Sequence, residues 1–264
     1  LSGGNEIIGS GAPGYFSGAT TYILREGEAL GQFWGLDYQG VYQGGAIPEG
    51  TALANTSLDG DGNPIPGEPL FTDLADAEGN FDGTIDDSDR MIIGDPNPDF
   101  TFGVNNSLSY GNFDLNVFFQ GAVGGDIYNL TAIQLYNGDS NSVTDILNSW
   151  TPTNTDTDIP RAAIRGRERS SRFVEDGSYA RLKNVSLGYS LGEGVTERIG
   201  IGSVRFTLSA QNILTMTNYS GLDPEVSYFG SGGESGGDGN VIIGHDFGNY
   251  PNLRSVTLGA NLKF

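Results

Sequence analysis

Cysteine is absent from this chain of 264 residues, histidine occurs once, and basic side chains are scarce at 13 Lys and Arg against 33 Asp and Glu. Without thiols there is neither a disulfide scaffold nor a thiolate zinc site. A Ser/His/Asp or Cys/His triad would have only His245 as its base. The net charge of −20 excludes a nucleic-acid groove, which needs clustered Lys and Arg to replace condensed counterions. Long apolar runs are missing too: nothing approaches the roughly 18 apolar residues of a spanning helix. The opening LSGGNEIIGS has no basic or apolar leader segment and no Met; the expectation is a removed leader or a start inside a larger protein.

What is present is alternation. In 252–264, Val256, Leu258, Ala260, Leu262 and Phe264 share one face, and Ser255, Thr257, Gly259, Asn261 and Lys263 the other. Residues 203–212, 100–110 and 113–119 repeat the pattern, and weaker copies lie at 33–42 and 179–190. About six strands are therefore expected. Their connections take turns in length: short at 110–112 and 191–202, long at about 43–99, 122–178 and 215–251. In an up-and-down sheet this puts every short turn at one end and every long loop at the other, the plan of an outer-membrane barrel. A soluble sandwich is the alternative, but its apolar face would need a second apolar face, and such long loops are uncommon in compact domains. Within the middle loop, 142–150 sets Val143, Ile146, Leu147 and Trp150 on one stripe behind Ser142 as N-cap, which predicts a short amphipathic helix. The stretch 230–239, GSGGESGGDG, lacks side chains to pack and does not link a strand to a helix as a phosphate loop must.

The acidic segment 73–99 contains EGNFDGTIDDSD. On the calcium-loop pattern Glu78, Asn80 and Asp82 take positions 1, 3 and 5, Gly83 the turning position, Thr84 position 7 and Asp89 position 12. Calcium favours six to eight hard oxygens, which such a loop can offer; a solvated acidic turn is the plainer alternative. Glu at position 1 and the short Asp at position 12 depart from the pattern. Asp86, Asp87 and Asp89 are read as solvated acids, not as a glycosidase pair. His245 is read as an ordinary polar loop residue. Arg161, Arg165, Arg167, Arg169 and Arg172 form the one basic cluster, suited to neutralising acidic loops or docking an acidic partner.

Several ordered segments carry a family resemblance: GQFWGLDYQGVYQ (31–43), the run from GNFDGTIDDSDRMIIGDPNPDF to GAVGGDIYN (79–129), SWTPTN with IPR (149–161), FVEDGSYARLKNVSLGYSL (173–191), SAQNILTMTNYSGLDPEV (209–226) and YPNLRSVTLGANLKF (250–264). The chain resembles the C-terminal portion of the SusC/RagA-like TonB-dependent outer-membrane transporters of Bacteroidota. The resemblance implies an all-β fold, the last strands of an antiparallel transmembrane barrel of about 22 strands with long extracellular loops, and no enzymatic activity. It implies import of glycans or peptides, a SusD-like lipoprotein as a lid, TonB acting through a plug domain, and an outer-membrane location. Plug and N-terminal strands are not among these 264 residues, so the N-terminal remainder of the same barrel is an expected partner, since an open edge in lipid leaves backbone groups unpaired. Expected contacts with cargo are the loop aromatics Trp34, Tyr42, Trp150, Tyr228 and Phe229, whose faces suit sugar rings or apolar peptide side chains. Phe264 is expected to be the signal read by the outer-membrane insertion machinery, with a place in the aromatic girdle as the alternative. Two rival functions remain: a barrel of this family serving as a scaffold in a protein complex, and a secreted calcium-binding β adhesin.

Overall fold

Four of the five strands of the wall form where alternation is cleanest, and the fifth at the weaker copy 179–190. In the structure, a computed structural model that describes residues 6–9, 21–54, 57–136, 141–162, 168–226 and 242–264, they are β1 (Phe100–Tyr110), β2 (Phe113–Val123), β3 (Tyr179–Ser190), β4 (Ser203–Thr217) and β5 (Ser255–Lys263). They pair antiparallel in the order β5-β4-β3-β2-β1. Gly111, with φ of +57°, makes the tight turn between β1 and β2. The β3–β4 link, which carries the one-turn helix Glu193–Thr196, is also short. The β2–β3 and β4–β5 connections leave from the opposite end and are long, as the sequence predicts.

Register gives the two faces their meaning. Leu108, Leu115, Leu187, Leu208 and Leu258 are successive partners across all five strands, forming an unbroken row of leucine. One residue away, on the other face, the row is Ser107, Asn116, Ser186, Ser209 and Thr257. Toward the short turns the outward row becomes Tyr110, Phe113, Tyr189 and Phe206, with the Phe113 and Tyr189 rings 4.6 Å apart. At about 3.4 Å per residue and a tilt of about 40°, the stretch from Phe113 to Val123 covers about 26 Å, the height of a transmembrane apolar band.

The polar face carries two charge clusters. Near the short turns, Arg205 on β4 makes a two-pronged contact with Asp114 on β2, both bonds at 2.7 Å. The contact arches over β3 at Gly188, where a Cβ would run into both side chains. Toward the long connections a buried network ties the chain after β4 to the wall. Arg181, 2% exposed, donates to Asp223 at 2.5 Å and to Glu225 at 2.6 Å. Tyr179 and Lys183 also donate to Glu225, and the Asn252 N–H donates to Asp223. A bulge between Leu182 and Asn184, with Asn212 at φ 53° on β4, bends the strands here.

The expected sixth strand is not in this sheet. Residues 33–42 break into Gln32–Gly35 and Tyr38–Val41, which join separate small sheets. Gly35 allows the Ile93 side chain and the Arg169 carbonyl to come within 2.7 and 2.8 Å of where a Cβ would sit, and Gly40 has φ of +115°, so a regular pleat stops. These sheets belong to a second compact unit (residues 1–97, 126–175 and 226–249), distinct from the wall unit (98–125, 176–225 and 250–264). Its cores gather Phe33, Tyr128, Leu130, Ile133 and Phe173 in one cluster, and Leu36, Ala52, Ala54, Phe71 and Ile85 in another. The helix predicted at 142–150 is a 3-10 turn, Thr144–Asn148, preceded by Val143 with no side-chain cap. Ser149 is already extended, with ψ of 152°, so the costly first α-helical turn is never repaid by a second. A helix the sequence reading missed, Leu130–Leu135, is capped by Asn129, whose side-chain oxygen accepts from the Ala132 N–H.

Candidate functional site

Among the expected loop aromatics that the structure describes, Trp150 lines a cavity. Its indole lies on Gly67, where φ of +91° and the ring's proximity both forbid a side chain, and its Nε1 donates to Gln43 at 2.7 Å. Ring and neighbours Ile146, Leu147, Ser149, Pro152 and Arg161 line an opening of about 380 Å³. Leu147 is 84% exposed at this cavity. Ser149 is 4% exposed, and its hydroxyl is buried without a hydrogen-bond partner. Arg161 is half-exposed and lies 3.5 Å from the buried Glu68 carboxylate. The site thus offers an aromatic ring, aliphatic walls, the exposed Thr151 and one guanidinium.

The other expected contacts divide. Tyr42 is buried with Leu53 and Leu70, and its hydroxyl donates to the Gly45 carbonyl, so it is core and presents no surface to cargo. Trp34 is half-buried with the Arg25 guanidinium 5.8 Å from its ring centre. Tyr228 and Phe229 lie outside the described residues, as do Arg165, Arg167 and the glycine-rich stretch 230–239. The remaining arginines do not form a patch: Arg169 is buried, and Arg172 sits among the rings of Tyr38, Tyr136 and Phe173. His245 is not an ordinary loop residue. It is buried edge-on against Phe33, 5.1 Å between ring centres, and burial pushes it down to about 4, so it is neutral near pH 7.

The acidic segment departs from the calcium-loop spacing at its start. Asp76 accepts the N–H groups of Glu78 and Asn80 at 3.0 and 2.8 Å and also the Asn80 amide, which holds its carboxyl below the ordinary range. Asp59 and Asn63 build the same D-x-x-G-N turn at 59–63. Glu78 joins this turn through its main-chain N–H and Asn80 through main chain and amide, and both are exposed. Asp82 accepts from the Thr84 N–H and hydroxyl, and Asp89 is buried. No three acidic or histidine side chains among the described residues close around one point.

No family model matches the chain. A TonB-dependent receptor of Formosa agariphila is 50% identical to it over all 264 residues, and a second from that bacterium is 33% identical over 98% of it. The TonB-dependent receptor SusC of Bacteroides thetaiotaomicron is 29% identical over 75%. The RagAB peptide importer in its open-open state shares the fold over 100% of the chain, with a TM-score of 0.70 and 22% identity. The chain belongs to the SusC/RagA-like TonB-dependent receptors. It spans about a quarter of these relatives' length, 25% of the first receptor and 25% of the RagAB chain. Its two-faced sheet is part of the barrel wall, and its place is the bacterial outer membrane. Receptors of this family are transport proteins, not enzymes.

Proposed function

We propose that this segment forms wall and mouth of a TonB-dependent importer of peptides, with the Trp150 cavity touching the cargo. The observation that carries the cargo reading is the cavity's lining. Ile146, Leu147, Pro152, Ala162 and the indole offer apolar surface, with few accessible polar groups, Thr151 and Arg161 foremost. A sugar bears a hydroxyl on nearly every carbon and would leave most of them unpaired against such a lining. An apolar peptide side chain fits, with a main-chain carbonyl or terminal carboxylate facing Arg161. The outer edges of β1 and β5 have no neighbour in the described sheet; in lipid their backbone groups need partners, which the N-terminal remainder of the barrel supplies. A SusD-like lipoprotein lid and TonB, pulling on a plug, complete the machine in this reading. Phe264, exposed one residue past β5, serves as the assembly signal.

Trp150→Ala in the full receptor is expected to raise the peptide concentration for half-maximal uptake by about tenfold, the equivalent of ~1.4 kcal/mol from lost ring contact. Gly67→Ala, which pushes the indole away, should act in the same direction. Uptake of labelled peptides and oligosaccharides by cells carrying each variant checks this. Equal peptide uptake by wild type and both variants would remove the cavity from the cargo path; loss of oligosaccharide uptake instead would reassign the cargo.

A further inference from the structure

Among the described residues that line the Trp150 cavity, Arg161 is the single charged side chain, and no Asp or Glu joins it. Main-chain donors of the lining are spent. The N–H groups of Ser149, Trp150, Thr151 and Arg161 donate to the carbonyls of Ile146, Ile159, Asn154 and Gly67 respectively, and Pro152 has none. The Ser149 hydroxyl is buried out of reach. An anionic group arriving here is therefore met by the guanidinium, and the guanidinium can turn to it. Its side chain is 40% exposed, and its contact with Glu68, through Nε at 3.5 Å, is longer than the roughly 2.7–2.9 Å of a charge-assisted hydrogen bond. That contact leaves Nη1 and Nη2, the two prongs that match a carboxylate, for a ligand.

We infer that the cavity reads the C-terminal residue of the imported peptide, its apolar side chain against the Trp150 indole and its free α-carboxylate on Arg161. The inference rests on the peptide reading above and decides which part of the peptide enters. An N-terminal residue brings an ammonium, which Arg161 repels and no carboxylate of the lining receives. An interior residue brings chain on both sides, whereas the opening of about 380 Å³ lies at the small end of the ~300–1,000 Å³ of ligand pockets. An acidic side chain would reach Arg161 but leave the indole, Ile146 and Leu147 facing water. A C-terminal apolar residue meets both halves of the lining, and its chain leaves in one direction only.

The test uses the purified full receptor in detergent and the tetrapeptide Gly-Ser-Gly-Leu, as free acid and as C-terminal amide, each displacing an N-terminally fluorescein-labelled copy of the acid read by anisotropy. Amidation changes the cargo and not the receptor, so folding does not enter this comparison. The free acid should bind about fivefold more tightly, the scale of a solvent-exposed ion pair, and N-acetylation should alter neither affinity. Arg161→Gln should bring the acid down to the amide and leave the amide unchanged, while Trp150→Ala should weaken both together. Equal affinity of acid and amide for wild type overturns the inference, as does a preference that survives Arg161→Gln, because the carboxylate is then read elsewhere. If Trp150→Ala still weakens both peptides in either case, the cargo reading stands without the inference. If Trp150→Ala binds both like wild type, or wild type binds neither, the two fall together. Should Arg161→Gln fail to assemble, Arg161→Lys keeps a cation beside Glu68 but loses the two prongs: a reduced preference for the acid supports the inference and an undiminished one overturns it.

Discussion

Replacing Arg181 by alanine is expected to destabilise the receptor by about 3 kcal/mol and to free the chain after β4 from the wall. Arg181 is buried with two carboxylates, and removing one partner of such a group leaves charge behind that water no longer reaches, a loss of roughly 3–5 kcal/mol. The lower end applies because Lys183 still offers its ammonium to Glu225 at 2.7 Å. Burial raises the Asp223 carboxyl, but the bonds from Arg181 and from the Asn252 and Glu225 N–H groups outweigh it and hold it below the ordinary range. A depressed carboxyl contributes stability above its unfolded pKa and loses it as pH falls through the folded one, so the network weakens only in acid, below about pH 4. Thermal melting and hydrogen exchange of residues 218–226 check both effects. Arg181→Lys should restore part of the loss, since an ammonium cannot fork between two carboxylates. Unaltered exchange at 218–226 in Arg181→Ala would show that the network does not hold the segment.

The second large effect concerns the leucine row. Leu258→Arg should reduce folding into liposomes by about 2–4 kcal/mol, whereas Thr257→Arg, one residue away on the polar face, should cost well under half of that. Leu258 is 79% exposed in the chain alone, and its cross-strand partner Leu208 continues the belt, which together mark it as facing lipid. Folding yield at graded urea, read by the heat-modifiable band on gels, gives the comparison. Equal tolerance of both arginines would deny that the faces are lipid and lumen.

The wall was legible because period two is local: β1 and β3 fall at 100–110 and 179–190 as the alternation predicts. Which leucine meets which was not, since pairing across long connections leaves no trace in either strand. The strand expected at 33–42 failed at Gly35 and Gly40, whose effect depends on distant neighbours and on φ. Trp150 was singled out as an aromatic in a loop, but its cavity depends on Gly67, far away in sequence. For His245 and Tyr42, burial overruled composition: a polar loop residue and a surface aromatic both became core. The acidic spacing carried no sign of the Asp76 turn or of the burial of Asp89, because both depend on main-chain hydrogen bonds that a pattern of side chains does not contain.

The arch of Asp114 and Arg205 over Gly188 bears on the fidelity of assembly. Sliding a strand by one place is an error the faces themselves reject, because the leucine row would enter the lumen and the serine row would enter lipid. Sliding by two preserves the faces, so alternation is blind to it. The arch is not, for a shift of β3 by two brings Ser186 or Ser190 under the guanidinium in place of a glycine, and the side chain fills the space the contact crosses. Odd slips are thus policed by solvent and even slips by one glycine, so the wall needs no distinctive sequence in any single strand to find its own alignment.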